Sequence, residues 1–160
     1  MQSVEIVCVG KTGRGFYTEG CGEYIKRLAP FFKLTVTELA ETRLVDDSPA
    51  GREKVITDES ARIMKHLESR ARALVAALCV EGKSYTSEAL AQLTADAANN
   101  SKPLILIIGG SLGLSGELKS RADIRLSLSS LTLPHQLARL VLLEQLYRAA
   151  TINNNIKYHK

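Results

Sequence analysis

The chain has 160 residues, the length of one ordinary domain, and we expect a single domain spanning residues 1–160. Hydrophobic residues make up 45% of the sequence and charged residues 24%, proportions that argue against a disordered protein and against a membrane protein. The net charge of +4 suits an anionic partner, but the lysines and arginines are scattered, so the charge alone is weak support for RNA binding.

The N-terminal part of the chain predicts a strand, a helix and a second strand. Residues 4–10 form a β-branched run closed by a glycine, and a loop of turn-forming residues follows at 11–15. Within residues 16–32, apolar residues near helical spacing predict a helix. Pro30 ends this helix because proline lacks a backbone donor. Alternating apolar and polar residues at 34–39 then predict the second strand.

A surface loop and a long amphipathic helix are predicted next. Residues 42–51 contain charges, a Ser-Pro step and a glycine, which indicate a loop before a helix at residues 52–72. Ile56, Ile63 and Leu67 form a narrow apolar stripe that predicts packing against one face of a sheet. The other side chains of this helix are expected to stay in solvent: Glu53, Lys54, Asp58, Glu59, Arg62, Lys65, His66 and Glu68.

The second half of the chain predicts the strands of a parallel sheet. Residues 74–80 and 104–108 are nearly continuous apolar runs, a pattern typical of parallel strands buried on both faces. A predicted helix at residues 87–98 lies between them and makes a strand-helix-strand crossover unit. A shorter strand follows at residues 124–128. We therefore predict an α/β protein with a mainly parallel sheet flanked by helices.

The last helix is predicted over residues 134–150, with proline at its first position and Thr132 or Leu133 as its cap. Its apolar residues occupy two arcs of the helical wheel instead of one, with Leu137, Leu140 and Val141 lying away from Leu142 and Leu146. Such a helix must be covered on two sides. One side faces the sheet, and periodicity leaves open whether a second subunit or the N-terminal helix covers the other.

The three cysteines, Cys8, Cys21 and Cys79, are too widely spaced for a zinc site and too few for a disulfide framework. We expect them to be free thiols in a reducing cytoplasm, and we expect no metal ion. The first residues lack the basic segment and apolar core of a secretory signal, and no apolar run reaches the length of a membrane span. These features predict a cytoplasmic protein.

Two segments of the last third have the composition of a ligand site. Residues 104–116 end a buried strand with a Gly-Gly pair, at the carboxyl edge where α/β sheets bind ligands. Residues 126–139 combine small hydroxyl residues with an abrupt helix start. A nucleotide-like ligand is one interpretation, and simple tight turns are the other. The spacing matches neither the dinucleotide fingerprint nor the P-loop.

Four motifs, in their order and spacing, resemble the ribosomal RNA large subunit methyltransferase H (RlmH) family of SPOUT methyltransferases. They are IIGGSLGL at 107–114, LSLSSLTLPHQLAR at 126–139, EQLYRA at 144–149 and YHK at 158–160. Weaker similarity at EYIKRL and ALCVEGK extends the resemblance over nearly the whole chain. The resemblance implies a homodimer, a C-terminal trefoil knot and S-adenosylmethionine as the cofactor.

The same resemblance implies which residues contact the cofactor. These are Leu78, Gly109 and the six consecutive residues Leu128, Ser129, Ser130, Leu131, Thr132 and Leu133. They follow three predicted strands, as the rule for ligand binding in α/β sheets requires. The family often has proline where Ser111 and Ser130 stand, so this chain lacks two stiffening residues in the loops.

The reaction that the resemblance implies is methylation of N3 of a pseudouridine in 23S ribosomal RNA of the large subunit, on the assembled ribosome and without a metal ion. His159 would accept the N3 proton and Tyr158 would stack on or hydrogen-bond the base, unless the tail is frayed. Arg148 and Arg139 are candidates for holding RNA. Arg148 equally suits an ion pair with Glu144, one turn earlier.

Two other functions remain open at this point. A non-catalytic RNA-binding or ribosome-associated factor would fit the basic charge, but it would not bind S-adenosylmethionine. A small nucleotide-binding enzyme of metabolism would bind a cofactor or nucleotide without depending on ribosomes. The YHK tail and the LTLPH segment favour the methyltransferase over both.

Overall fold

The computed structural model describes all residues from Met1 to Lys160 and contains five strands and five α-helices. The strands are β1 (Gln2–Val9), β2 (Phe32–Leu39), β3 (Leu74–Ser84), β4 (Leu104–Ile108) and β5 (Ile124–Ser127). The helices are α1 (Phe16–Leu28), α2 (Pro49–Leu67), α3 (Ser87–Asn99), α4 (Gly116–Arg121) and α5 (His135–Asn153), with a short 3₁₀ turn after α2 at Glu68–Arg70.

All five strands form one sheet in the order β2-β1-β4-β3-β5, and every neighbouring pair is parallel. The predicted α/β class with a parallel sheet is thus confirmed. Because the strands run in one direction, their carboxyl ends share one edge, where the segments after β3, β4 and β5 meet. The trefoil knot that the resemblance implies stays a prediction, since strand order and register do not test it.

The sheet is covered on both faces by helices. Successive residues of β4, such as Leu106 and Ile107, point to opposite faces of the sheet and enter two separate apolar clusters. The first contains residues of α1, α3 and α5, and the second contains Ile63 of α2 and Leu118 of α4. All five residues of β4 are buried, so the strand that ends at the glycine pair lies at the centre of the core. Burial of each Leu or Ile side chain contributes about 1.5–3 kcal/mol to stability.

Helix α5 lies between α1 and α3 of its own chain. Leu142, Leu143 and Leu146 are fully buried there. The N-terminal helix therefore supplies one of the two covers that the helical wheel requires. Leu140 and Val141 remain half-buried, which leaves apolar surface on the same helix.

Several element boundaries differ from the sequence-based prediction. Helix α2 begins at Pro49 inside the predicted loop, because the Ser48 hydroxyl caps it by accepting a hydrogen bond from the Gly51 N–H at 3.0 Å. Strand β3 continues past residue 80 to Ser84. Helix α5 begins at His135, with Pro134 as its N-cap and no side-chain cap, so the predictions of Pro134 at the first helical position and of Thr132 or Leu133 as cap were wrong.

His66 is not solvated, as the polar pattern of its helix had predicted. Its Nε2 lies 2.8 Å from Glu5 Oε1, and Glu5 also accepts hydrogen bonds from Thr37 and Arg70. Burial raises the pKa of Glu5, but these three hydrogen bonds outweigh that effect and hold it below its ordinary value. The cluster joins β1, β2 and the end of α2.

The cysteines are free, as predicted, and burial raises the pKa of the Cys8 thiol to about 11, so it is not a nucleophile. None of the helices has the length and apolar character that crossing a membrane would require.

Candidate functional site

A cleft of about 760 Å³ opens past the carboxyl ends of β4 and β5 and beside residues 78–81 of β3, where β3 no longer pairs with β4. About half of its 21 lining residues are hydrophobic. Of the residues that the resemblance assigns to the cofactor, all except Ser130 line it: Leu78, Gly109, Leu128, Ser129, Leu131, Thr132 and Leu133. Three segments far apart in sequence therefore build one concave surface.

The loop after β4 forms one wall of the cleft and is closely packed. The Gly113 N–H donates to the Gly110 carbonyl at 3.0 Å, and Gly113 has a φ of 86°, a conformation that favours glycine. A Cβ on Gly109 would lie 2.9 Å from Leu114 Cδ2 and 3.0 Å from the Gly113 carbonyl carbon. Glycine is needed at residue 109 because the Gly113 backbone, which moves less easily than the Leu114 side chain, also lies within about 3 Å of such a Cβ.

Helix α2 packs against this loop and forms a hydrogen bond with it. The Ser60 hydroxyl accepts a hydrogen bond from the Ser115 N–H at 2.9 Å. Glu59 is only 4% exposed, so the prediction that it stays in solvent was wrong. Its Oε2 accepts from the Thr42 N–H at 3.0 Å, while Oε1 has no partner and would lie 2.7 Å from a Cβ on Gly110. Burial raises the pKa of Glu59.

The opposite wall is the segment between β5 and α5, and hydroxyl groups shape its turn. The Ser129 hydroxyl accepts from the Leu131 N–H at 3.0 Å, and Ser127 donates to the Ser129 carbonyl at the same distance. These bonds fix the segment without the proline that the family often has at residue 130. His135 ends the wall, and burial lowers its pKa, with Arg139 adding to the effect, so its imidazole is neutral at pH 7.

Arg139 is buried in the protein and does not face solvent as an RNA ligand. Its guanidinium pairs with Glu38 of β2 and donates to the Gly10 carbonyl at 2.9 Å. Its side chain is 4% exposed, so this arginine is unable to reach an RNA phosphate in this structure. The candidate RNA role for Arg139 was wrong, and the residue instead ties the start of α5 to the ends of β1 and β2.

The other three candidates, Arg148, Tyr158 and His159, form a second group, which we call the tail cluster. The Tyr158 hydroxyl donates to Glu144 Oε1 at 3.0 Å, and Arg148 pairs with the same carboxylate. The Arg148 guanidinium also lies 4.8 Å from the centre of the Tyr158 ring. The tail is thus held in place, and the intrahelical ion pair proposed as the simpler role of Arg148 is present.

His159 completes the tail cluster. Its Nε2 lies 2.8 Å from Glu88 Oε1 at the start of α3, and its Nδ1 lies 3.4 Å from Arg148 Nη1. Burial raises the pKa of Tyr158, and hydrogen bonds with Tyr24 and Glu144 raise it further, so the phenol stays protonated. The cluster therefore combines a neutral donor, a fixed cation and an imidazole.

The tail cluster and the cleft are separate within one chain. None of Arg148, Tyr158 and His159 lines the cleft. Ala138 is the last residue of α5 that does, and Arg148 follows it by ten residues, or about 15 Å along the helix axis at 1.5 Å per residue. Within one chain, the lining of the cleft and the tail cluster therefore lie at different positions along α5.

Comparison with known proteins identifies the family. A family model described as "Predicted SPOUT methyltransferase" matches residues 2–159. The ribosomal RNA large subunit methyltransferase H of Leuconostoc mesenteroides is 42% identical over 160 residues, which cover 99% of both chains. The protein of the same name from Streptococcus suis is 42% identical over 159 residues, covering 98% of this chain and 99% of that one.

Solved structures share the fold at low sequence identity. A probable methylase family protein from Haemophilus influenzae superposes with a TM-score of 0.54 at 14% identity, covering 98% of this chain and 70% of that one. The SpoU methyltransferase AviRb from Streptomyces viridochromogenes, solved in complex with AdoMet, has a TM-score of 0.51 at 14% identity, with coverages of 96% and 60%. The chain belongs to the SPOUT methyltransferases and, among them, to the ribosomal RNA large subunit methyltransferase H family.

Proposed function

We propose that the protein is an S-adenosylmethionine-dependent methyltransferase that modifies N3 of a pseudouridine in 23S ribosomal RNA of the large subunit. It would act in the cytoplasm on assembled ribosomes. The observation that carries the proposal is the cleft beside β3 and at the ends of β4 and β5, since seven of the eight residues predicted to hold the cofactor line it. The names of the curated relatives support ribosomal RNA as the substrate class.

The cleft fits this cofactor in size and in chemistry. Its volume of about 760 Å³ lies in the range of sites that enclose a ligand of this size. Leucines at residues 78, 128, 131 and 133 offer apolar surface to an adenine ring, and the backbone of the two glycine- and serine-rich loops offers hydrogen-bonding groups. The sulfonium supplies the electrophilic methyl group when it is bound.

The tail cluster is arranged to receive the acceptor base. If the Nε2–H of His159 donates to Glu88, Nδ1 carries the lone pair, which accepts a long 3.4 Å hydrogen bond from Arg148 and would accept the N3 proton of the base once the base displaces that contact. Arg148 stands beside that nitrogen and can bind the RNA backbone or base. Tyr158 keeps its proton and orients Arg148 through their shared partner, Glu144.

The separation of these two groups along α5 supports a homodimer. A cleft and a tail cluster about 15 Å apart in one chain do not complete a site, whereas the cleft of one protomer and the tail of its partner can. Twofold symmetry would form two such composite sites per dimer. The half-buried Leu140 and Val141 on α5 offer apolar surface for the contact.

Complementation tests this arrangement. Gly109→Ala weakens cofactor binding in the cleft and His159→Ala disables the tail, so each homodimer should be nearly inactive when S-adenosylmethionine is kept well below the Kd of the Gly109→Ala cleft. When the two variants are co-expressed, random pairing makes half of the dimers mixed, and each mixed dimer has one intact composite site. We expect about a quarter of the wild-type activity. No activity in purified mixed dimers would contradict a site shared between protomers.

The function itself is tested by mass spectrometry of large-subunit RNA from cells with and without the gene. We expect the N3-methylated pseudouridine to disappear in the deletion strain and to return with the wild-type gene. Calorimetry with S-adenosylmethionine provides a second measurement. Unmodified RNA together with no binding of S-adenosylmethionine would instead support the alternative, a non-catalytic ribosome-associated factor.

A further inference from the structure

One ion pair stands at the cleft. Lys119 Nζ of α4 donates to Glu81 Oε1 of β3, and both residues line the cleft. Among the lining residues Glu81 is the only carboxylate and Lys119 the only lysine or arginine. The rest of the surface is apolar, small or neutral, including His135, whose pKa is lowered by burial. The formal charge of the cleft is thus confined to one pair of opposite charges.

A local irregularity of the sheet places Glu81 there. The pairing of β3 with β5 shifts between Leu78 and Lys83, so the residues between them leave the regular ladder. Gly82 permits this shift because a Cβ there would lie 2.8 Å from the backbone of Arg125. Bulges of this kind redirect side chains beside binding sites. Here the bulge directs a carboxylate toward the cleft.

The ion pair itself contributes little to folding, since the Glu81 side chain is 57% exposed and the Lys119 side chain 23% exposed. Its groups retain unused bonding capacity. An ammonium has three donors and a carboxylate has about four acceptor positions, and the pair uses one of each. The Lys119 ammonium holds the pKa of Glu81 below its ordinary value, so the carboxylate is ionised at neutral pH.

We propose that Glu81 and Lys119 bind the amino-acid end of S-adenosylmethionine, an inference that rests on the proposed function. Glu81 accepts hydrogen bonds from the α-ammonium, and Lys119 donates to the α-carboxylate. The four groups then form a ring of alternating charge, which suits a zwitterion. A phosphate would meet the Glu81 carboxylate beside the only cation, so the cleft discriminates against phosphorylated nucleotides. The leucines and loop backbone are left for the adenosine.

Truncated ligands separate this contact from the rest of the cleft. S-adenosylhomocysteine carries the amino-acid end, and 5′-methylthioadenosine lacks it while keeping the adenosine. We would measure both affinities by calorimetry for the wild-type protein, for Glu81→Gln and for Lys119→Gln. Each substitution should weaken S-adenosylhomocysteine about tenfold, as expected for loss of a charge-assisted hydrogen bond at a partly exposed position. Methylthioadenosine affinity should change less than about twofold in the same proteins.

A charge-swapped double variant tests whether the pair acts only by holding the structure. Glu81→Lys with Lys119→Glu keeps an ion pair but places each charge opposite the wrong end of the ligand. We expect its thermal stability to match the wild type and its S-adenosylhomocysteine affinity to stay low. Recovery of affinity in the swapped protein would overturn the proposal, and so would an equal loss for both ligands. If the wild-type protein binds neither ligand, the proposed function itself fails.

Discussion

Gly109→Ala tests whether one added methyl group disturbs the cleft through the backbone of its own loop. The new Cβ would lie 2.9 Å from Leu114 Cδ2, 3.0 Å from the Gly113 carbonyl carbon and 3.1 Å from its oxygen. Ordinary contacts between carbon atoms are about 3.5–4.0 Å. The Gly113 backbone must therefore retreat by about 0.5 Å or more, and it forms the wall of the cleft.

The expected effect has a stability part and a binding part. Overpacking a rigid region costs about 1–3 kcal/mol of unfolding free energy. For a chain of this length that corresponds to a decrease in Tm of about 2–4 °C for each kcal/mol. A displaced wall also loses contacts with the cofactor, so we expect the affinity for S-adenosylmethionine to fall by about tenfold or more, equivalent to about 1.4 kcal/mol.

Calorimetry with S-adenosylmethionine and urea denaturation measure the two parts. Gly116→Ala is the matched control, because it makes the same chemical change seven residues later and its Cβ would meet nothing within 4 Å. The control should bind normally and be as stable as the wild type or about 0.4–1 kcal/mol more stable. Wild-type affinity in Gly109→Ala would refute the argument that the glycine is needed for close packing.

Three further substitutions test other parts of the site. Burial raises the pKa of Glu59, so the folded protein favours the protonated carboxyl. This preference stabilises the fold below pH 4.5, the ordinary pKa of the group, and the stabilisation is lost as the pH rises through the raised pKa. Glu59→Gln should flatten that part of a urea-denaturation profile, and an unchanged slope would count against it. Arg139→Met should cost about 2 kcal/mol, less than a fully buried pair because Glu38 is 33% exposed, without altering the salt dependence of ribosome binding. Tyr158→Phe removes the bond to Glu144 and should slow methylation of ribosomes while calorimetry shows normal cofactor affinity; equal loss of both would place Tyr158 at the cleft.

The sheet could be predicted because its signal is local. The apolar run of β4 and the glycine pair after it are consecutive in sequence, and a strand buried on both faces needs no other information to be recognised. The errors in α2 have the opposite cause. Periodicity places Glu59 and His66 on the polar side of their helix, but their partners, Thr42 and Glu5, come from other elements. Such contacts exist only once the chain has folded.

The candidate site divides in the same way. The walls of the cleft follow strand ends and glycines, which sequence motifs reveal. The pairing of Glu81 with Lys119 joins residues that are 38 positions apart through a bulge. Glu81 lies in the weakly similar segment ALCVEGK and Lys119 lies in none of the motifs, so nothing in the sequence indicates that the two residues pair. The prediction that Arg139 binds RNA was wrong for a related reason. An arginine near a ligand motif suggests an RNA contact, and only the folded structure shows that Arg139 pairs with Glu38.

Helix α5 separates the cleft from the tail cluster within one chain. Its N-terminal turns line the cleft, and its C-terminal half carries Glu144 and Arg148 of the tail cluster. Because α1 and α3 hold the helix on both sides, its length fixes the separation of about 15 Å, and bending a packed helix does not remove such a distance. A rigid spacer of this kind lets cofactor binding and base recognition be built independently. The proposed site shared by two protomers predicts that loss of the dimer abolishes methylation even where each cleft still binds its cofactor.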